Sequence, residues 1–306
     1  MDRRAFLRGA AVSAVALRLG AAMPRSVSAS AIAAPEFPAM TNHLLNQVNL
    51  ERAELGRKSL KLDSLACAVA QKHATEMARN NFLSHWSMDG RKPYHRYSFA
   101  GGVEATQEND AAVDTGTPIA SADVPIHLMS LHRSMHDEVA PDDGHRKAIL
   151  NPINTHVGFG YADYGFCVRL CELYVARYVS IDPYAVTASP RDRVVLSGRL
   201  LEPAYSLEGI DVFYEPLPVP PDIAWLRIPR PYGLPDERES LLPKLDRNHF
   251  YEDGSKGSIE LKSRGRFQAP FLLSRKEPGI YTAVVWIARS AKEAPFPATQ
   301  VCVRAE

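Results

Sequence analysis

The chain has 306 residues, of which 45% are hydrophobic, 23% charged and 8% aromatic, a globular composition that excludes the disordered, collagen-like and coiled-coil classes. Its 36 Lys and Arg residues balance 35 Asp and Glu residues, which leaves nucleic acid little to hold, since that contact rests on phosphate neutralisation. No window of about 18 consecutive strongly apolar residues predicts a transmembrane span.

The first residues read Asp2-Arg3-Arg4-Ala5-Phe6-Leu7-Arg8, followed by an alanine-rich run to Met23 and the motifs Ala29-Ser30-Ala31 and Ala31-Ile32-Ala33. A charged start, a modest apolar stretch and a small-residue cleavage motif predict a signal peptide over 1–33. The paired arginines before Phe-Leu are of the twin-arginine export type. The expected destination is periplasmic or extracellular, where disulfides are permitted.

Residues 40–160 read as helical. Thr41 or Asn42 can cap a helix carrying Leu44, Leu45, Val48 and Leu55, ended by Gly56. Asp63 or Ser64 caps a second, with Leu65, Val69, His73 and Met77 spaced four apart as an apolar stripe through Asn80. A third helix is predicted over 125–139 and a short one over 144–150. Residues 155–181 turn to β pattern. Beyond Pro183 the grammar changes: fourteen of the 23 prolines lie at or after Pro190, which argues against helices. Short β runs follow at 194–200, 209–214, 258–262, 267–274, 279–288 and 299–303. Pro278-Gly279-Ile280-Tyr281 before Val284-Val285-Trp286 resembles a tyrosine-corner strand of an immunoglobulin-like sandwich. The proline-rich stretch 216–235 reads as a long ordered loop.

Several motifs recur in order: Asn81-Phe82-Leu83-Ser84-His85, Asp89-Gly90-Arg91-Lys92-Pro93 with Arg96, Gln107-Glu108-Asn109, Asp143-Gly144-His145-Arg146, Ile149-Leu150-Asn151-Pro152 and Val157-Gly158-Phe159-Gly160. Over about 41–181 the chain resembles the CAP superfamily of cysteine-rich secretory, antigen 5 and pathogenesis-related class-1 proteins, also called SCP-like extracellular proteins, and matches its bacterial type. The resemblance implies a CAP-like α-β-α sandwich over 34–183; with the all-β immunoglobulin-like sandwich that the later strand pattern predicts over 190–306, the expected fold class is α+β. It departs at Gln107, where family members carry glycine, so the loop holding Glu108 is expected to be shaped differently.

The resemblance also implies a cleft lined by His85, Glu108, Glu138 and His145. Two imidazoles and two carboxylates can share a divalent cation, and His85 and His145 are the expected ligands of a weakly held zinc or similar ion. The bland alternative is a buried His–Glu hydrogen-bond network. His132 and His136, spaced i, i+4, read as a solvated helix face, His73 as a core histidine, and Trp225 and Trp286 as core. No G-x-S-x-G elbow marks a nucleophile, so the residues favour binding over catalysis. The family's sterol and lipid binders suggest a small apolar ligand. A peptidase-like secreted hydrolase using the same cleft and a cell-wall or adhesion scaffold stay open. Of four cysteines, Cys167 and Cys171 are expected to bridge across a turn signalled by Asp163-Tyr164-Gly165, with Cys67 and Cys302 free.

Overall fold

The computed structural model describes residues 16–18 and 36–306, so the predicted signal peptide lies, apart from 16–18, outside the described residues. A short strand β1 (Ala16–Arg18) pairs parallel with 112–114. Helix α1 (Glu36–Glu54) begins earlier than Thr41, because Pro38 in the first turn forfeits no intrahelical hydrogen bond. Strand β2 (Lys61–Leu62) leads into helix α2 (Ser64–Asn80), whose start is held by Asp63, the Ala66 N–H donating to its Oδ1 at 2.6 Å. Asn81, in the left-handed region at φ 48°, ends it.

Helix α3 (Pro93–Phe99), strand β3 (Ala105–Asp114), helices α4 (Val124–His136) and α5 (Gly144–Ile149), and strands β4 (His156–Asp163) and β5 (Cys167–Ala176) complete the first layer system. The sheet order is β1-β3-β5-β4-β2, with β5 antiparallel to both neighbours. α2 lies on one face and α1, α4 and α5 on the other. The fit of α2 follows from its small residues. Ala66, Ala70, Ala74 and Ala78 are all buried and recur every four residues, so they share one helix face. A Cβ added at Gly158 on β4 would lie 2.2 Å from the Ala66 carbonyl carbon, and one at Gly160 2.1 Å from that of Ala70. Helix and strand touch backbone to backbone.

The rest is the expected sandwich. A six-stranded sheet contains β7 (Thr187–Ala188), β9 (Ser206–Pro216), β10 (Arg238–Leu241), β13 (Gly279–Ala288), β14 (Phe296–Pro297) and β15 (Val301–Ala305). A four-stranded sheet contains β6 (Val179–Ile181), β8 (Arg193–Leu200), β11 (Glu260–Leu261) and β12 (Arg266–Leu272). Alternate residues of β9, β13, β8 and β12 fill the space between, among them Val212, Val285, Leu196 and Phe267. The Tyr281 hydroxyl accepts from the Arg275 N–H at 2.6 Å, the upstream backbone contact of a tyrosine corner.

The core does not stop at the expected boundary. Ala105, Ala176 and Tyr178 belong to the sandwich core, Gln300 accepts from the Thr106 N–H at 2.8 Å, and Cys302 N–H donates to Ser98 Oγ at 2.8 Å. The 216–235 stretch carries a single helical turn, α6 (Ile223–Leu226), which buries Leu226 beside α2. Trp286 is core as expected, whereas Trp225 is half-buried.

Two readings need correction. All four cysteines are free thiols. Cys167 and Cys171 both lie on β5, opposite Asp114 and Asp110. The turn falls before Cys167, so no bend intervenes, and four extended residues span roughly 13 Å against a limit near 7 Å for a bridge. His132 is fully buried, not solvated: Nδ1 meets Glu172 Oε1 at 2.7 Å and Nε2 meets Glu51 Oε2 at 2.9 Å. Those carboxylates outweigh burial and raise its pKa to about 10.

Candidate functional site

Strand β3 organises the site by its pleat. Glu108 and Asp110, two apart, point to the α2 face beside their cross-strand partners Leu173 and Cys171. His85, in the loop after α2, brings Nδ1 to 3.1 Å from Glu108 Oε1 and 3.0 Å from Asp110 Oδ2. Arg96 of α3 ion-pairs with Glu108 Oε2. Its guanidinium also donates to the carbonyls of His85 (2.6 Å) and Arg91 (3.2 Å), which fixes the loop. His73 donates through Nε2 to the Ser84 carbonyl at 2.8 Å, and that nitrogen lies 3.7 Å from Asp110.

The carboxylates and imidazoles of this cluster are buried and the Arg96 side chain is 9% exposed, so its charges compensate one another. Burial pushes Glu108 up, but the Arg96 cation, helped by His73 and His85, holds it well below the usual carboxylate range. Asp110 is raised by burial and by the Glu108 charge. For His85, burial works downward, yet hydrogen bonds and charge from Asp110 and Glu108 overcome it and lift the imidazole to about 9. Two cations thus face two carboxylates.

His145 and Glu138 form a second pair. α4 ends at His136, which leaves Glu138 on the following loop, where it accepts from the His145 backbone N–H at 2.9 Å and meets its Nδ1. Asn109, on the opposite pleat to Glu108, donates to the His145 carbonyl at 3.1 Å. The two His–Glu pairs therefore meet β3 from opposite faces. Gln107 sits within this regular strand, and its Oε1 accepts from Asn151 at 2.7 Å, so the missing glycine leaves the strand intact.

The 216–235 stretch covers the first pair. The Tyr232 ring centre is 4.7 Å from that of His85, and its hydroxyl accepts from the Glu108 N–H at 2.9 Å. Next to it, Tyr94 donates to Glu215 at 2.6 Å.

The donor group with metal-ligand spacing differs from the expected one. His73, Glu108 and Asp110 offer ligand atoms within 4.8 Å of one another. Sequence reasoning left out Asp110 and assigned His73 to the core. The period of two from Glu108 would have found Asp110; nothing local marked Tyr232.

The model of the cysteine-rich secretory protein family, CAP, matches residues 45–178 of the chain. The uncharacterized protein YkwD of Bacillus subtilis (strain 168) is 29% identical over 117 residues, which are 38% of this chain and 40% of that protein's length. An SCP-domain extracellular protein from Bacillus anthracis is 21% identical with a TM-score of 0.36, over 48% of this chain and 45% of that one. An outer surface protein from Borrelia burgdorferi is 18% identical with a TM-score of 0.38, over 49% of this chain and 99% of that one.

Proposed function

We propose that the chain is an exported CAP-domain protein that works by binding, its 34–183 and 190–306 parts acting as one body in the cell envelope or outside the cell. The observation that carries this reading is the closed ion network under Tyr232. A histidine that acts as general base must be neutral at the working pH. His85 instead is held as a cation by two carboxylates on Nδ1, and its ring packs against Tyr232. Export is supported by Arg3-Arg4-Ala5-Phe6-Leu7-Arg8.

For a divalent cation, His73, Glu108 and Asp110 are the donor set that fits. Zinc accepts imidazole and carboxylate together, but here it must displace positive charge already supplied by Arg96 and His85, so weak exchangeable binding is expected. A sterol or lipid fits less well. The cavity between Thr106, Ile153, Tyr232, Leu234 and Gln300 holds about 30 Å³, room for a water or two.

The test is hydrolysis. Purified protein offered unstructured peptides, with and without chelator, is expected to cleave none. Turnover abolished by both chelation and His85→Ala would establish the hydrolase instead.

A further inference from the structure

An open groove of about 440 Å³, lined by neither His–Glu pair, lies between Trp86, Lys92 and His95 of the CAP part and Glu215, Trp225 and four prolines of the remainder. That size is typical of small-ligand pockets, about 300–1,000 Å³. Its wall is aromatic. Trp86 and Trp225 meet edge to face, centres 5.3 Å apart at 86°, and both stay half-buried. Arg230 stacks 4.2 Å over Trp225 and braces it.

The floor is polar, half-buried at Lys92 and Glu215 and buried at His95. Lys92 ion-pairs with Glu215 and donates to the Gly233 carbonyl at 3.0 Å. His95 is only 2% exposed. Its Nδ1 accepts from the Lys92 N–H at 3.4 Å, which places the ring proton on Nε2. That Nε2 stands 3.4 Å from Glu215 Oε2 and completes no hydrogen bond. Burial also pushes His95 down, against the pull of Glu215, so the ring is neutral and the floor's net charge is zero.

These features choose a ligand class. Apart from Arg230 on the wall, a strongly charged ligand finds no excess charge to meet. A purely apolar chain would leave the His95 donor unmet, at about 1–3 kcal/mol. A ring with apolar faces and a hydroxyl rim satisfies both wall and floor. We propose that this groove binds a neutral oligosaccharide, a pyranose face stacked on one indole of the Trp86–Trp225 wall and a hydroxyl accepting from His95 Nε2. The inference rests on the binding reading above and names its ligand class.

The probes are tetra-N-acetylchitotetraose and cellotetraose, titrated into the full exported chain and followed by tryptophan fluorescence. Saturable binding of either is expected, weakened at least tenfold by Trp86→Ala and by Trp225→Ala but not by Val139→Ser. Saturation-transfer NMR on the unmodified protein, which needs no variant to fold, should show magnetisation reaching the sugar ring protons. No saturable binding of either sugar, binding by both tryptophan variants equal to that of the wild type, or saturation of the same tryptophans by a decaproline peptide and not by sugar would overturn the proposal. A failed sugar titration with no peptide hydrolysis sinks this inference alone; chelator-sensitive hydrolysis sinks the binding reading whatever the sugars do.

Discussion

Replacing Arg96 by leucine removes the cation that faces Glu108 in a site from which water is excluded. The Glu108 side chain is fully buried and that of Arg96 is 9% exposed. The guanidinium also satisfies the His85 and Arg91 carbonyls and Ser87 Oγ. Removing one partner of a buried ion pair costs about 3–5 kcal/mol, because the other charge is stranded. Arg96→Leu is therefore expected to lower unfolding stability by about 4 kcal/mol, read from urea unfolding by near-ultraviolet circular dichroism at pH 7. Arg96→Leu with Glu108→Gln should recover part of that loss, since contacting residues couple by about 0.5–3 kcal/mol. Arg96→Lys should fall between, keeping the charge but losing the planar fork. A loss below about 1 kcal/mol for Arg96→Leu, the magnitude of a solvated surface pair, would refute the argument that this network is closed to water.

Three further outcomes follow from the same structure. His85, lifted from 6.5 to about 9 by Asp110 and Glu108 against burial, contributes fully below about pH 6.5 and loses its contribution as pH rises through 9. The loss amounts to at most about 3 kcal/mol, and parallel stability curves for wild type and His85→Gln between pH 6 and 10 would contradict it. Alkylation of unfolded protein without reductant should label Cys67, Cys167, Cys171 and Cys302; a doubly unlabelled 167/171 peptide would restore the bridge. A fragment ending near 186 should bind hydrophobic dyes and aggregate, since it loses Leu226, Tyr232 and Gln300; a soluble folded monomer would show that the two parts have independent cores.

Part of the site was legible in local pattern: each His–Glu pair, though not that the two meet β3 from opposite faces. The motif residues His85, Glu108 and His145 stand where the elements put them, and the small-residue rhythm of α2 agrees with Gly158 and Gly160. Other features depended on which way a side chain points. The i, i+4 pair His132 and His136 fits either face of a helix, and only the buried Glu51 and Glu172 decide that His132 turns inward. The cysteine bridge failed on where a turn ends, a matter of one or two residues. Tyr232 could not be read at all, because its contact with Glu108 joins positions 124 residues apart and rests on no periodicity.

That separation has a consequence for synthesis. Chains grow at about 5–20 residues per second, and domains tend to fold in the order they are made. For about 6–25 s after Glu108 has been added, Tyr232 does not yet exist to cover it, and Gln300 follows later still. The carboxylates of β3 must wait, accessible to water, for the final third of the polypeptide. The site is finished last, so an interrupted translation product leaves its central strand uncovered and open to chaperones or proteases.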